Sequence, residues 1–141
     1  MKNAMLILCL MLASLQAQAK DLYGPYKADL VRVLDGDTVE VSVHVWPGLK
    51  QSIKLRIAGI NTPEKRGRVS DCEKAAGKAA TAFTENWLKD ADTITVYDIH
   101  LGKWAGRVVG KLKKGGADLS QALINAGHAK PYDGGKREPW C

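Results

Sequence analysis

Cysteine is scarce in this 141-residue chain, with three in all and no CxxC pair, and the three histidines, His44, His100 and His128, are scattered. Zinc sites favour clustered ligands at short spacing, so a metal centre of that class is not expected. Long apolar runs are also missing. The stretch from Met5 to Leu12 is about half of the roughly 20 residues that a membrane-spanning helix requires. No internal repeat, linker or low-complexity segment interrupts the chain, and no acidic residue precedes Asp21.

What the first residues do contain is ordered. Lys2 is followed by the apolar run and then by Ala17-Gln18-Ala19, the pattern of a secretory signal peptide spanning residues 1–19. Leu8 stands before Cys9 where a lipoprotein signal would have a small residue, so Cys9 reads as filler of the apolar run. The expectation is a secreted or periplasmic protein whose residues 20–141 form one domain, enough chain for a single core. Loss of Lys2 leaves 20 basic residues against 15 acidic ones, a net charge of about +5. That surplus favours a polyanionic partner, although many solvated surfaces carry as much. In an oxidising compartment Cys72 and Cys141 allow one intramolecular pairing, and a Cys72–Cys141 disulfide is expected in preference to free thiols or an intermolecular bridge. Closing so long a loop is worth roughly 4 kcal/mol on the chain-entropy model.

Along residues 20–141, Leu30 to Leu34 reads as a short apolar strand. From Val39 to Trp46 the pattern alternates strictly, with Val39, Val41, Val43 and Val45 on one face and Glu40, Ser42, His44 and Trp46 on the other. Pro47-Gly48 supplies a turn, and Ile53, Leu55 and Ile57 then share a face opposite Lys54 and Arg56. Ser70 and Glu73 fit a capping box. Ala76, Ala79, Ala80, Phe83 and Trp87 follow at helical spacing, which predicts a helix of about four turns from near Cys72 to near Lys89. Thr93 to Ile99 and Arg107 to Leu112 read as strands. A second helix starts near Asp118, with Leu119, Ala122, Leu123 and Ala126 on one face and Gly127 as its stop. The segment PYDGGKREPWC reads as an extended tail fastened by Cys141. Three strands, a helix, two strands and a helix are most economically satisfied by a small Greek-key barrel, an α+β arrangement without long exposed edges.

Polar residues concentrate at three element ends: Asp35-Gly36-Asp37-Thr38, Arg56 with Asn61-Thr62-Pro63-Glu64, and Gly106-Arg107. Each alone has a bland explanation. DG is a common turn, an arginine opposite an apolar strand face is ordinarily solvated, and Glu64 after Pro63 suits a plain turn. An EF-hand does not explain the acidic pair, because its sixth and twelfth positions would hold Glu40 and Trp46 in place of Gly and Glu.

Taken together, LDGDTVEV, then LRIAGINTPE, then GR resemble the staphylococcal nuclease (thermonuclease) family in order, spacing and strand context. The helix near Cys72 and the segment DLSQALINAGHAKPY extend the resemblance from about Ala28 to Tyr132. It implies a five-stranded OB-fold barrel with two or three helices that hydrolyses DNA and RNA to 3′-phosphate products, as a monomer free of membrane. It also implies a calcium ion near Asp37, with position 61 and the Thr62 carbonyl as further ligands and Asp35 and Glu64 acting through water. Arg56 and Arg107 would engage the phosphate, and Glu64 would orient or deprotonate the attacking water. Oxygen ligands suit calcium, and the planar arginine fork suits phosphate.

Two positions depart from the family pattern. Asn61 replaces the usual aspartate, which removes a formal charge. The loop before Arg107 lacks the usual tyrosine, so Trp104 or Tyr132 would stack bases instead. The rival expectations are a non-catalytic OB module that binds single strands and an inert interaction domain. Arg56, Glu64 and Arg107 beside an acidic pair favour the enzyme.

Overall fold

Strand β1 (Tyr26–Asp35) turns through Gly36 and Asp37 into β2 (Thr38–Trp46), which turns into β3 (Leu49–Ile57), making the three-strand meander that the alternation predicts. This computed structural model describes residues 19–141; the expected signal peptide, all but Ala19, lies outside them. A two-residue strand β4 (Ile60–Asn61) leads to helix α1 (Asp71–Leu88), then β5 (Ile94–Leu101), β6 (Arg107–Lys114), β7 (Ala117–Asp118), helix α2 (Leu119–Asn125) and β8 (Lys130–Pro131). Among the described residues no helix is long and apolar enough to cross a membrane.

The long strands lie in the order β3-β2-β1-β5-β6, and an additional pairing of β3 with β6 closes them into a five-stranded barrel. That closing seam is parallel, whereas the other barrel pairings are antiparallel. Closure leaves no free barrel edge. Register shifts in β1 after Leu30 and Val33, and between β5 and β6 after Tyr97, bend the strands as bulges do. This five-stranded mixed barrel with two helices is the OB-type architecture that the resemblance implies.

The barrel interior is filled by Val39, Val41 and Val43 of β2, Leu55 and Ile57 of β3, Ile94 and Val96 of β5 and Leu112 of β6, all buried. Leu88 of α1 and Leu119 and Leu123 of α2 join the same core. Val45, although in phase with that stripe, is exposed because β2 and β3 project beyond the barrel there. β1 starts earlier than its apolar run suggests, since its N-terminal half pairs with β5 through Tyr26, Lys27 and Ala28.

α1 covers one end of the barrel. Ser70 caps it by accepting the Glu73 N–H at 3.1 Å, half of the expected capping box; the other half is not made, because Glu73 uses its carboxylate elsewhere. Its buried face is Gly77, Ala80, Thr81, Thr84 and Leu88, while Phe83 and Trp87 are only partly buried and Ala79 is exposed. The expected stripe is therefore rotated towards the small residues, because α1 lies close against the loops that follow β1 and β4. Its last turn carries no basic residue; Lys114 of β6 supplies the cation, donating to the Trp87 carbonyl at 2.6 Å and lying 4.7 Å from the Trp87 ring centroid.

α2 ends in a Schellman motif, with His128 N–H bonded to Leu123 O, Gly127 N–H bonded to Ile124 O, and Gly127 at φ 78°. Ala126, expected on the apolar face, is the exposed C-cap. The tail after α2 does not trail free. β8 pairs with β4, so that Ile60 faces Pro131 and Asn61 faces Lys130. Lys130 then binds the Pro139 carbonyl at 3.0 Å and lies 4.6 Å from the Trp140 ring centroid. A Cys72–Cys141 disulfide, with the two Cα atoms 6.2 Å apart, ties the last residue to the first turn of α1.

Candidate active site

The site is assembled on the β1–β2 turn. Gly36 needs no unusual backbone angle; it is required for space, since a Cβ there would lie 2.8 Å from the Ala80 Cβ and 3.1 Å from the Thr62 side chain. The turn is thus pressed between α1 and the loop after β4. Thr84 of α1 donates to the Gly36 carbonyl at 2.7 Å. Asp37, 7% exposed, follows directly. Its Oδ2 accepts the Thr62 N–H at 3.1 Å and lies 3.2 Å from Arg56 Nη2, and its Oδ1 accepts the Thr38 hydroxyl at 3.1 Å.

Arg56 is therefore not the solvated strand arginine that its alternation suggests. Its side chain is 16% exposed. Nη1 donates to the Ile57 carbonyl at 2.9 Å and Nη2 to the Ile60 carbonyl at 3.0 Å, besides pairing with Asp37. Of the five guanidinium N–H groups, Nε and one Nη1 hydrogen are left to meet an outside acceptor.

The parallel seam determines where Arg107 stands. Lys54 is in register with Arg107 and Arg56 with Val109, so Arg56 and Arg107 project from the same outer face of adjacent strands, two residues out of step. That offset is about 7 Å along the strands. Arg107 is half-buried at the start of β6, and its N–H returns to the Trp104 carbonyl at 3.3 Å.

Glu64 is held from two sides. Its N–H donates to Glu73 Oε1 at 3.2 Å, which is why the capping box is incomplete. Its Oε1 accepts from Arg137 Nη1 at 2.8 Å, and Arg137 Nη2 also donates to the Thr62 carbonyl at 3.1 Å. Beneath the Glu64 backbone lies Gly77 of α1, where a Cβ would be 2.4 Å from Lys65 N and 2.5 Å from the Glu64 carbonyl carbon. Asp35 is further out, 3.8 Å from Lys65 Nζ and 3.6 Å from Arg66 Nη2.

The structure thus brings Asp37, Arg56 and Thr62 into direct contact and links Thr62 to Glu64 through Arg137. Asn61 is buried, and with Lys130 and Tyr132 it lines an open recess of about 400 Å³ beneath the tail. Tyr132 is anchored there by its N–H to the Gly59 carbonyl and its hydroxyl to the Gly135 carbonyl. Trp104, 69% exposed in the β5–β6 loop, does not line that recess.

The chemical types at the site suit a hard cation, because the donors are carboxylate, carbonyl and amide oxygens. Among the described residues no three Asp, Glu, His or Cys side chains converge as a metal cluster. A cation held here would take most of its shell from Asp37, backbone and amide oxygens and water.

A small closed OB-type barrel with acidic and basic residues gathered at the turns beside its parallel seam defines the class. Residues 54–139 match the family model described as "Staphylococcal nuclease homologue", and the chain belongs to that family. It is 28% identical over 115 residues to a protein of Escherichia coli named "Protein ParB", covering 81% of this chain and 62% of that protein. Over 111 residues it is also 28% identical to an "Uncharacterized endonuclease" of Escherichia coli, covering 78% of this chain and 63% of the relative, and equally so to a namesake from Escherichia coli O157:H7. The chain spans less than two thirds of the length of these relatives.

Four residues of the site were not marked by the sequence pattern. Thr84 and Gly77 are small residues on a helix whose apolar stripe points elsewhere. Glu73 reads as a capping residue, and Arg137 lies in a tail without periodicity. The signal for Arg137 is indirect: the pairing of Cys141 with Cys72 brings the tail back to the body of the protein.

Proposed function

We propose that residues 20–141 form a monomeric, calcium-dependent phosphodiesterase that hydrolyses DNA and RNA in a secreted or periplasmic setting. The observation that carries this reading is the Asp37–Arg56 pair at 3.2 Å, with the Thr62 N–H on the same carboxylate oxygen. A carboxylate and a guanidinium so fixed present a cation site and an anion site side by side, as charge-stabilised phosphoryl transfer demands. Family membership and relatives named as endonucleases support the reaction class. The disulfide and the signal-like first 19 residues support export.

Asp37, the Thr62 carbonyl and Asn61 would hold the calcium ion, with Asp35 acting through water. When bound, the ion supplies positive charge beside the phosphoryl oxygens. The remaining roles belong to side chains. Arg56 keeps two N–H groups for the phosphate, and Arg107 on the same face contributes a second fork. Glu64 takes a proton from water as the water oxygen bonds to phosphorus. The bond to the 5′ oxygen breaks, that oxygen takes up a proton from solvent while Glu64 returns its own to solvent, and a 3′-phosphate remains. Trp104 or Tyr132 would stack a base.

The test is cleavage of single-stranded DNA by the chain in calcium and again in chelator, beside Glu64→Gln and Arg107→Ala. Each substitution is expected to lower turnover by about 10²- to 10⁴-fold with the fold intact. Binding of the strand without fragments would favour the non-catalytic OB module. Turnover within a few-fold of wild type in either variant would remove that residue from the mechanism.

A further inference from the structure

Glu64 is the proposed base, yet its side chain is 46% exposed and it lies in the irregular loop between β4 and α1. An exposed glutamate samples several rotamers, whereas proton abstraction needs one orientation within hydrogen-bond reach of the water. Two outside residues restrict it. Glu73 holds its backbone N–H, and Arg137 holds its carboxylate while also gripping the Thr62 carbonyl two residues earlier. These two residues are near neighbours of the two cysteines. Glu73 follows Cys72 directly, Arg137 lies four residues before Cys141, and the disulfide joins them.

We propose that Arg137 is a positioning residue of the nuclease site, fixing the Glu64 carboxylate relative to the Thr62 carbonyl, and that the Cys72–Cys141 disulfide keeps it there. The proposal rests on the role given to Glu64 above. A guanidinium suits the task because its planar fork spans a carboxylate and a carbonyl at once, which a lysine ammonium does not do with fixed geometry. Stability is a poor explanation of the contact. Half-exposed ion pairs contribute little to folding, and the Arg137 and Glu64 side chains are 36% and 46% exposed. Lys130 already fastens the tail through Pro139 and Trp140 without help from Arg137. The disulfide acts through geometry: with Cys141 released, the end of the tail is held by Lys130 and by the contacts of Arg137 itself, and the arginine loses its fixed approach.

The experiment compares the oxidised full chain with Arg137→Ala, Arg137→Lys, Cys72→Ser/Cys141→Ser, and Arg137→Ala in that cysteine-free background. Steady-state cleavage of single-stranded DNA in calcium, thermal melting, and the side-chain carboxyl ¹³C resonance of Glu64 are measured for each. Arg137→Ala is expected to lower kcat by about 10- to 100-fold with KM little changed, as misplacement of a reacting group does. Its melting temperature should move by less than about 3 °C. Arg137→Lys should recover part of kcat. The cysteine-free protein should show a similar loss, to which removal of Arg137 adds nothing, because the two act as one unit. The Glu64 resonance should move in Arg137→Ala and in the cysteine-free protein alike, with or without substrate.

A wild-type chain that cleaves while Arg137→Ala cleaves at the same kcat overturns the positioning role and leaves the nuclease reading standing. Faster cleavage by Arg137→Ala, or saturation at lower calcium, also overturns it, since the arginine would then obstruct the site. A wild-type chain that does not cleave at all overturns the nuclease reading and the positioning role with it.

Discussion

The hydroxyl of Thr84 in α1 donates to the carbonyl of Gly36 at 2.7 Å, fastening the middle of a helix to the turn that carries Asp37. Thr84 is fully buried, so neither partner can turn to water instead. Thr84→Val keeps the shape and removes the donor. The Gly36 carbonyl is then left buried without this bond, at a cost of about 1–3 kcal/mol. Urea unfolding should show that loss, and turnover should fall with it as Asp37 loses its support. An unmoved midpoint would mean that the carbonyl finds another donor.

Gly77 offers a test whose sign is informative. Replacing a glycine inside a helix by alanine normally stabilises by roughly 0.5–1 kcal/mol. Here the new methyl would lie 2.4 Å from Lys65 N and 2.5 Å from the Glu64 carbonyl carbon, both rigid backbone atoms. Gly77→Ala is therefore expected to destabilise by about 1–3 kcal/mol and to push the Glu64 loop outward, lowering turnover. A more stable variant with full turnover would show that the helix and the loop do not approach so closely.

Asn61 is 6% exposed, so Asn61→Asp places a carboxylate where desolvation disfavours charge. Without metal the variant should be less stable than wild type. If position 61 is a calcium ligand, the ion should reverse that deficit and saturate cleavage at lower concentration, a net gain of about 1–2 kcal/mol in affinity. Melting curves with calcium and with chelator, beside a calcium titration of rate, measure both effects. An identical titration in the two proteins would place residue 61 outside the coordination shell.

Alkaline pH probes the outer face of β5 and β6. Tyr97 donates to Asp118, whose carboxylate is thereby diverted from capping α2. Burial, and then this hydrogen bond, push the Tyr97 hydroxyl up from 10.0 to about 12. A proton held more tightly in the folded state stabilises it fully below pH 10, and the contribution is lost as pH rises towards 12. Lys111 and Lys113 also face the ring, their ammonium groups 5.7 and 5.1 Å from its centroid. The comparison is therefore with Tyr97→Phe. Between pH 10 and 12 wild type should lose stability more steeply than the variant; parallel curves would remove the tyrosine as the cause.

The barrel was legible because its strands carry local signals. Val39, Val41 and Val43 alternate with polar residues, and so do Leu55 and Ile57, which makes the inward face readable without knowing any partner. β4, β7 and β8 were not legible, since a two-residue strand has no period and exists only through its partner, as Asn61 does opposite Lys130. Asp35, Asp37, Arg56, Asn61, Thr62, Glu64 and Arg107 could be singled out from motif order. The contacts that hold them could not. Arg56 reads as a surface arginine until the chain after β3 curls back and presents the Ile57 and Ile60 carbonyls to it. Arg137 has no local signal, because its meaning depends on where a disulfide pins the tail.

Because the seam between β3 and β6 is the pairing that brings Arg56 beside Arg107, the two arginines come together only when distant parts of the chain meet. α1 and β5 lie between those strands in sequence. Pairings of such long range carry a large loop-closure cost and form late in folding. A chain whose seam has not yet closed carries every side chain of the proposed machinery with the two arginines still apart.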